Sequence, residues 1–563
     1  MRRLVVVLCL LLLVIEASSR ARTSRPPGWD DATHGRDATA DYDRVFAADR
    51  VNRIDITVSA SDWAAAMADM ADLAGPFGAE RQPSTAGGGF GGFPVPSPEA
   101  IASCGGKTVG DTCSFGALTN GRCTQQMNGG ALSCVELAAP GGAPEGIPGG
   151  GPSGGPVVGS PGGGGRDQGA DDVDIFPRTP IYVPADVVFD GRTFTKVGFR
   201  FKGNSSLSNA WRAGNEKLPL RLNFDVLDDR FPEIRDQTFF GFPNLSFTNN
   251  GTDTSFLRHR VVTDLFREAG VPAARTAFVR VFLSHGDGPI YLGLYTLTEV
   301  PDSPMLKTLF GSDGGNLYKP VGTGGRWTQF FPLSYPKKTN AVDEDWTDIQ
   351  DAIAVLNESR ASAATWRARL EARLAVNGFL RWLALNTMVG NFDAYGGLSA
   401  HNYYLYGSPR HRDRLYWIPW DHDLAMSSSG VGGGGAGGGG VGGGGAGGGA
   451  IPGSGTGGLD LFLNTTAANW PLIRYLLDDP VYRAAYRGHV EELITTVFDA
   501  GRLTARLRSE ATLIAPYVIG PEGEQSGRTF LSSPAQFDTA VASLVNFVES
   551  RSAAVKQVLG TTR

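Results

Sequence analysis

Apolar and polar positions alternate through much of the first half of the chain. Val51, Ile54, Ile56 and Val58 recur at a period near two, which predicts a strand. Ser59 or Ser61 stands where it can cap a helix that begins near Trp63 and runs to Met70. The strand pattern returns at Ile181. VVFDGRTFTKVGFRFKG predicts two strands joined at Asp190-Gly191, a dipeptide suited to a two-residue hairpin turn. LPLRLNFDV (218–226) alternates in the same way. From Thr254 to Ala269 the spacing becomes helical, with Phe256, Leu257, Val261, Val262, Leu265 and Phe266 apolar and Gly270 placed to end the helix. TAFVRVFLS and IYLGLYTLTEV predict an antiparallel pair joined through His285-Gly286-Asp287-Gly288. After that, helices are predicted over 345–358 and 364–389, a hairpin from NYYLYG and RLYWIPWD, and helices over 470–487, 488–499, 502–514 and 537–558. Strands with one helix, followed by helices enclosing a hairpin, predict an α+β chain of two lobes with a cleft between them.

Composition alters this picture at three places. The 77 glycines and 34 prolines among 563 residues gather in a few tracts without a period of three, which excludes collagen. Residues 86–98 and 139–172 are two such tracts, and 430–458 is a third, built of four-glycine blocks. Glycine has no side chain to bury and much chain entropy to lose, so 430–458 is expected to be disordered. Between the first two tracts stand Cys104, Cys113, Cys123 and Cys134. Their spacing is too long for a zinc ribbon, and an even, clustered set in an exported chain predicts two disulfides with the pairing open. Met1-Arg2-Arg3, the apolar run Leu4 to Ile15 and Ala17-Ser18-Ser19 predict a secretory signal, the run being too short to span a bilayer. No later run is long enough, so no stable transmembrane segment is expected in the mature chain. A formal charge of −6 excludes a generally basic nucleic-acid surface. The expected division is a signal over 1–19, the start of the first lobe over 20–80, a disulfide-stapled insertion over 81–175 and the rest of that lobe over 176–300. The second lobe covers 301–429, the glycine loop 430–458 and the C-terminal helices 459–563.

Three polar groups carry candidate chemistry. Phe201-Lys202-Gly203-Asn204-Ser205-Ser206 ends a strand with an ammonium and small residues whose N–H groups can approach a phosphate. A surface lysine on a turn leaves the same local trace. Asn391-Phe392-Asp393 with His401-Asn402 pairs a loop Asp, able to take a hydroxyl proton, with an Asn able to hold magnesium; Asx turns are the plainer reading. Trp420-Asp421-His422-Asp423 puts two carboxylates one residue apart after a strand, which suits a hard cation, while His422 should face the other way. A transition-metal site using His401, His422 and both acids is a competing reading. Strand lysine, loop Asp with a downstream Asn, then a strand-end Asp is the order found in protein kinases, although G-x-G-x-x-G, H-R-D and D-F-G are absent.

Longer strings carry a resemblance. GFRFKGNSSL, LPLRLNFD, FLRHRVVTDLFREAGVPAARTAFVRVFL, YLGLYTLTEV, GNLYKP, GNFDAYGGLSAHNYYLY, LYWIPWDHDLAM and PLIRYLLDDPVYRAAYRGHVEEL together resemble the spore-coat protein H (CotH) kinase family, over about 45–75 and 176–560. The resemblance implies an atypical bilobal protein-kinase-like fold. It implies transfer of the ATP γ-phosphoryl group to a Ser or Thr of secreted, surface or spore-coat proteins, with Mg²⁺ or Mn²⁺. On that basis Asp393 is the catalytic residue, Asp421 the principal metal ligand with Asn402 and Asp423, and Lys202, Arg221 and Glu299 contact the nucleotide, Glu299 through its backbone. The string departs from the family where Leu257-Arg258-His259 replaces Leu-Arg-Glu, and where Arg221 stands for a frequent Lys, which is not equivalent at a phosphate. Asp423 falls where relatives have Asn or Asp. A coat or surface assembly protein that keeps the fold without catalysis is the alternative, and another nucleotidyl or phosphoryl transferase is a third. Limited proteolysis should cut first within 430–458. Protection of that tract in the free protein would contradict the expected disorder.

Overall fold

The computed structural model describes residues 24–79, 102–107, 111–115, 118–125, 132–136, 176, 178–397, 400–427 and 459–561. In chain order, β1 is Asn52–Val58, and β2 (Thr112–Phe115), β3 (Leu118–Gln125) and β4 (Leu132–Glu136) form a small separate sheet. Next come β5 (Val183–Phe189), β6 (Arg192–Phe201), β7 (Leu220–Asn223), β8 (Asn244–Thr248), β9 (Thr276–Ser284) and β10 (Ile290–Glu299). The last three are β11 (Leu317–Tyr318), β12 (Tyr403–Ser408) and β13 (Arg414–Pro419), one antiparallel sheet.

The alternating runs close into a barrel in the order β1-β5-β6-β7-β8-β10-β9. Ile54, Ile56, Val58, Val187, Phe194, Val197, Phe199, Leu222, Leu245, Phe247 and Val281 are all buried in its apolar core. The β5–β6 turn has the left-handed backbone expected of Asp190 (φ 46°) and Gly191 (φ 72°). β1 pairs antiparallel with β5 and parallel with β9, and the parallel pair completes the closure. The insertion leaves after the helix Ala60–Ala74 and rejoins ahead of β5, where Arg178 pairs with Asp69 and Asp72 of that helix. Within it Cys104 is bonded to Cys123, Cys113 is disulfide-bonded as well, and β3 and β4 set Cys123 opposite Cys134. The predicted signal (1–19), the glycine tract (430–458) and most of the linkers around the cysteines lie outside the described residues. No helix among the described residues is long and apolar enough to cross a membrane.

Beyond β10 the chain is mostly helical around a second apolar core, which includes Trp366, Phe379, Trp382, Trp417, Tyr486 and Leu507. The predicted helix over 364–389 is two, Ala363–Arg373 and Val376–Val389. Leu374 and Ala375 turn aside between them, where the Ala375 N–H bonds to the Leu415 carbonyl. The predicted helix over 470–487 also divides, into Pro471–Asp478 and Pro480–Leu493, because Asp479 caps the second and Pro480 cannot continue the first. The helix predicted from Thr254 begins only at Arg258, since the Asp253 carboxylate takes the Ser255 and Arg258 N–H groups in a preceding turn.

A buried ion pair joins barrel to helices. Lys217, just before β7, meets Glu524 from the segment ahead of the last helix, and both side chains are 0% exposed. Glu524 also accepts the Leu294 N–H at 2.9 Å, and the ammonium lies 4.5 Å from the Phe256 ring centre. Gly293 is required here, because a Cβ would come within 2.6 Å of the Glu524 carboxylate and φ is 131°. Burial pushes the Lys217 ammonium down in pKa and the Glu524 carboxyl up, each opposed by its partner. Lys217→Met leaves one dehydrated charge alone and should cost about 3–5 kcal/mol in denaturant unfolding. Lys217→Met with Glu524→Leu should recover most of that loss. A single-variant loss under about 1 kcal/mol would contradict the pair's structural role.

Candidate active site

Residues opposite one another in an antiparallel ladder share a face of the sheet. Arg200 on β6 faces Arg221 on β7, Arg221 faces Ser246 on β8, and Ser246 faces Thr298 on β10. A polar row thus crosses the barrel wall, with Leu220, Leu222, Leu245 and Leu297 turned to the apolar side. Lys202 follows β6 at the end of this wall, its N–H bonded to the Pro219 carbonyl at 3.0 Å.

The acids arrive from the helical half. Asp421 and Asp423 follow β13. Asp421 has φ of 56° and Asn402 φ of 60°, left-handed conformations uncommon outside glycine. The Trp420 N–H donates to the Asn402 carbonyl at 3.0 Å. Asn402 Nδ2 donates to the Asp393 carbonyl at 2.8 Å and to Asp393 Oδ2 at 3.0 Å. His401 Nε2 lies 3.0 Å from Asp393 Oδ1. The Thr252 hydroxyl, carried on the loop after β8, donates to Asp423 Oδ2. The Asp423 carboxyl is held well above its usual pKa, first by burial, then by Asp421, with Asp393 adding to the effect.

His259 marks where the two groups meet. Burial pushes its imidazole down in pKa, Asp421 pulls it up, and Lys202 pushes it down again. Lys202 and Asp421 therefore lie within electrostatic reach of one ring. Asn402 ties Asp393 to the turn that carries Asp421 and Asp423, Lys202 acts with Asp421 on the His259 ring, and Arg221 stands on the polar row of the barrel wall. Glu299 is directed elsewhere. Its carboxylate accepts the Tyr42 hydroxyl at 2.7 Å and the Arg275 N–H at 2.9 Å, and its own N–H donates to the Arg275 carbonyl at 2.9 Å.

His422 turns away from the acids, as alternation predicts, and packs 5.0 Å from the Phe266 ring. That orientation removes it from any shared metal site with Asp421 and Asp423. Among the described residues, the one trio of His, Cys, Asp or Glu with donor atoms within 4.8 Å of one another is Cys104, Cys113 and Cys123, all disulfide-bonded. The donor chemistry at Asp421 and Asp423 is carboxylate oxygen, and two like charges pressed together in a recess favour a hard divalent cation. Thr252 and Thr298 escaped the sequence reading. Nothing in local spacing relates Thr252 to an acid 171 positions away.

Barrel and helical half define a mixed helix-and-sheet protein with a polar row on the barrel wall and an acid pair after β13. The CotH kinase protein family matches residues 199–555, more than half the chain, and the chain belongs to that family. It is similar to the inner spore coat protein H of Bacillus subtilis (strain 168), with 22% identity over 297 residues, covering 50% of this chain and 71% of that protein. A structure of Shewanella oneidensis MR-1 HipA with HipB and operator DNA overlaps at TM-score 0.26 and 12% identity, over 56% of this chain and 60% of that one. The Helicobacter pylori proinflammatory kinase CtkA overlaps at TM-score 0.22 and 9% identity, over 60% of this chain and 92% of that one.

The raised Asp423 carboxyl has a sign that can be tested. A carboxyl whose folded pKa lies above its unfolded value opposes folding once pH exceeds the unfolded value, and the penalty vanishes in acid. With chelator present, Asp423→Asn should raise the melting temperature at pH 7.5 by about 3 °C and leave it unchanged near pH 3. A loss of stability at pH 7.5 would mean the acid pair is not under charge repulsion.

Proposed function

We propose that the chain is an exported atypical Ser/Thr protein kinase that transfers the γ-phosphoryl group of ATP to secreted, surface or spore-coat proteins. One observation carries the reading: Asn402 joins Asp393 to the turn that carries Asp421 and Asp423, and Asp421 and Lys202, from distant parts of the chain, both act on His259. On this reading 20–80 and 176–300 make a nucleotide-binding lobe, and 301–429 with 459–563 make the second lobe of a kinase-like fold. Residues 81–175 and 430–458 are insertions, and 1–19 direct export.

Lys202 and Arg221 hold phosphate oxygens. Asp421 and Asp423 are the residues that hold a divalent cation, with Asn402 Oδ1 as a further oxygen because its Nδ2 is engaged by Asp393. Magnesium, or manganese, supplies charge neutralisation on the phosphates when bound. Asp393 orients the acceptor hydroxyl, its own carboxylate fixed on one oxygen by Asn402 and on the other by His401. The acceptor oxygen forms a bond to the γ-phosphorus while the bond to the β,γ-bridging oxygen breaks. The hydroxyl proton passes to Asp393 and ADP leaves. Glu299 supports the lobe through Tyr42 and Arg275 rather than the nucleotide.

The roles separate by mutation. Asp421→Ala should abolish Mg·ATP binding in calorimetry. Asp393→Asn should bind Mg·ATP normally while transfer to a cell-surface extract falls by about 10²-fold or more, the scale of a lost general base. The reverse pattern would exchange the two roles. A wild-type chain that takes up no Mg·ATP would refute the kinase reading in favour of a non-catalytic coat or surface assembly protein.

A further inference from the structure

The imidazole of His259 links three elements from distant parts of the chain. Its Nδ1 accepts the His422 backbone N–H at 3.2 Å, and its Nε2 lies 3.0 Å from Thr298 Oγ1. A ring nitrogen that accepts an amide N–H carries no proton, so the ring proton sits on Nε2 and is donated to Thr298. The residue is 4% exposed, leaving water no ready access to either bond. The N–H that it accepts lies between Asp421 and Asp423. Asp421 has φ of 56°, a left-handed conformation that costs some strain outside glycine although aspartate tolerates it better than most residues. The Trp420 N–H, bonded to the Asn402 carbonyl at 3.0 Å, holds the chain before Asp421, and His259 holds it after.

We propose that His259 is a positioning residue that sets the backbone of the Asp421–Asp423 turn and thereby the spacing of the two carboxylates toward a divalent cation. The inference rests on the reading of Asp421 and Asp423 as cation ligands. Thr298 in turn sets the ring, so the barrel wall and the acid pair are adjusted to one another through a single side chain. Residues that orient metal ligands commonly change affinity by about 10–100-fold when removed.

Glutamine can accept the His422 N–H through its carbonyl and donate to Thr298 through its amide, whereas leucine can do neither. Binding of Mn²⁺ with ATP to the full chain, measured by calorimetry, should weaken by about tenfold or more in His259→Leu and stay within about threefold of wild type in His259→Gln. Nitrogen-15 spectra of labelled histidine should contain a buried ring with bare Nδ1 and protonated Nε2 that is lost in His259→Gln while the other histidine signals remain. Asp421→Asn separates the two levels of the argument. If it impairs binding while His259→Leu does not, the positioning role is refuted and the acid-pair reading stands. If it leaves binding intact, both fail. Equal weakening in the leucine and glutamine variants would assign the effect to packing and refute the inference. Should His259→Leu not unfold cooperatively, Thr298→Val decides: weaker Mn²⁺·ATP binding supports the role, and unchanged binding refutes it.

Discussion

A lysine and a glutamate without access to water hold the two halves of this protein together. Each charge alone in that position is unfavourable by several kcal/mol, so Lys217 and Glu524 are tolerable only as partners. The chain after Glu524 is further bonded to the residues just before Lys217. The Glu216 N–H donates to the Gly527 carbonyl at 2.8 Å, and Asn215 Nδ2 donates to the Thr529 carbonyl at 2.7 Å. The same anchor reaches the acids. Asn249 Nδ2 donates to the Lys217 carbonyl at 2.8 Å, and three residues on, Thr252 meets Asp423. The position of the loop over the acid pair thus depends on an ion pair that is not itself among the candidate catalytic groups.

The site combines charges that repel with backbone that is strained, and each is held from outside. Burial and the neighbouring Asp421 raise the cost of ionising Asp423. Left-handed backbone at Asp421 and Asn402 adds to it. Hydrogen bonds from the helix after Asp253, from β10 and from the loop after β8 over-determine the arrangement. Such a constellation carries a stability penalty that the two apolar cores offset.

The large insertion follows from strand pairing. Because β1 and β5 are antiparallel neighbours, the helix Ala60–Ala74 and the insertion after it can lie between them with little change in the ladder. Loop-closure cost grows slowly with length, so a long inserted segment burdens the barrel lightly. The parallel pairing of β1 with β9 then draws the N-terminal residues into a core some two hundred positions distant.

Much of the local structure was legible in the sequence. Asp190-Gly191 announces its hairpin because only a few residue types tolerate that turn, and Ser59 announces its helix because its hydroxyl meets the Asp62 N–H. Alternation placed β1, β5, β6, β9 and β10, and it turned His422 away from its acidic neighbours. The same period says nothing about which strand lies beside which. Closure of the barrel stayed hidden, as did β8, whose five residues are too few for a period to emerge. The helix over 364–389 read as continuous because its break at Leu374 is caused by a strand brought from elsewhere. The acids, the lysine and the loop aspartate were legible as candidates from local order and family strings. Which of them meet was decided by the tertiary structure, as was the engagement of Glu299 by Tyr42 and the grip of His259 on the His422 amide. Sequence spacing determines the face on which a side chain emerges, but its partner is set by the packing of whole elements, and that is a property of the folded chain.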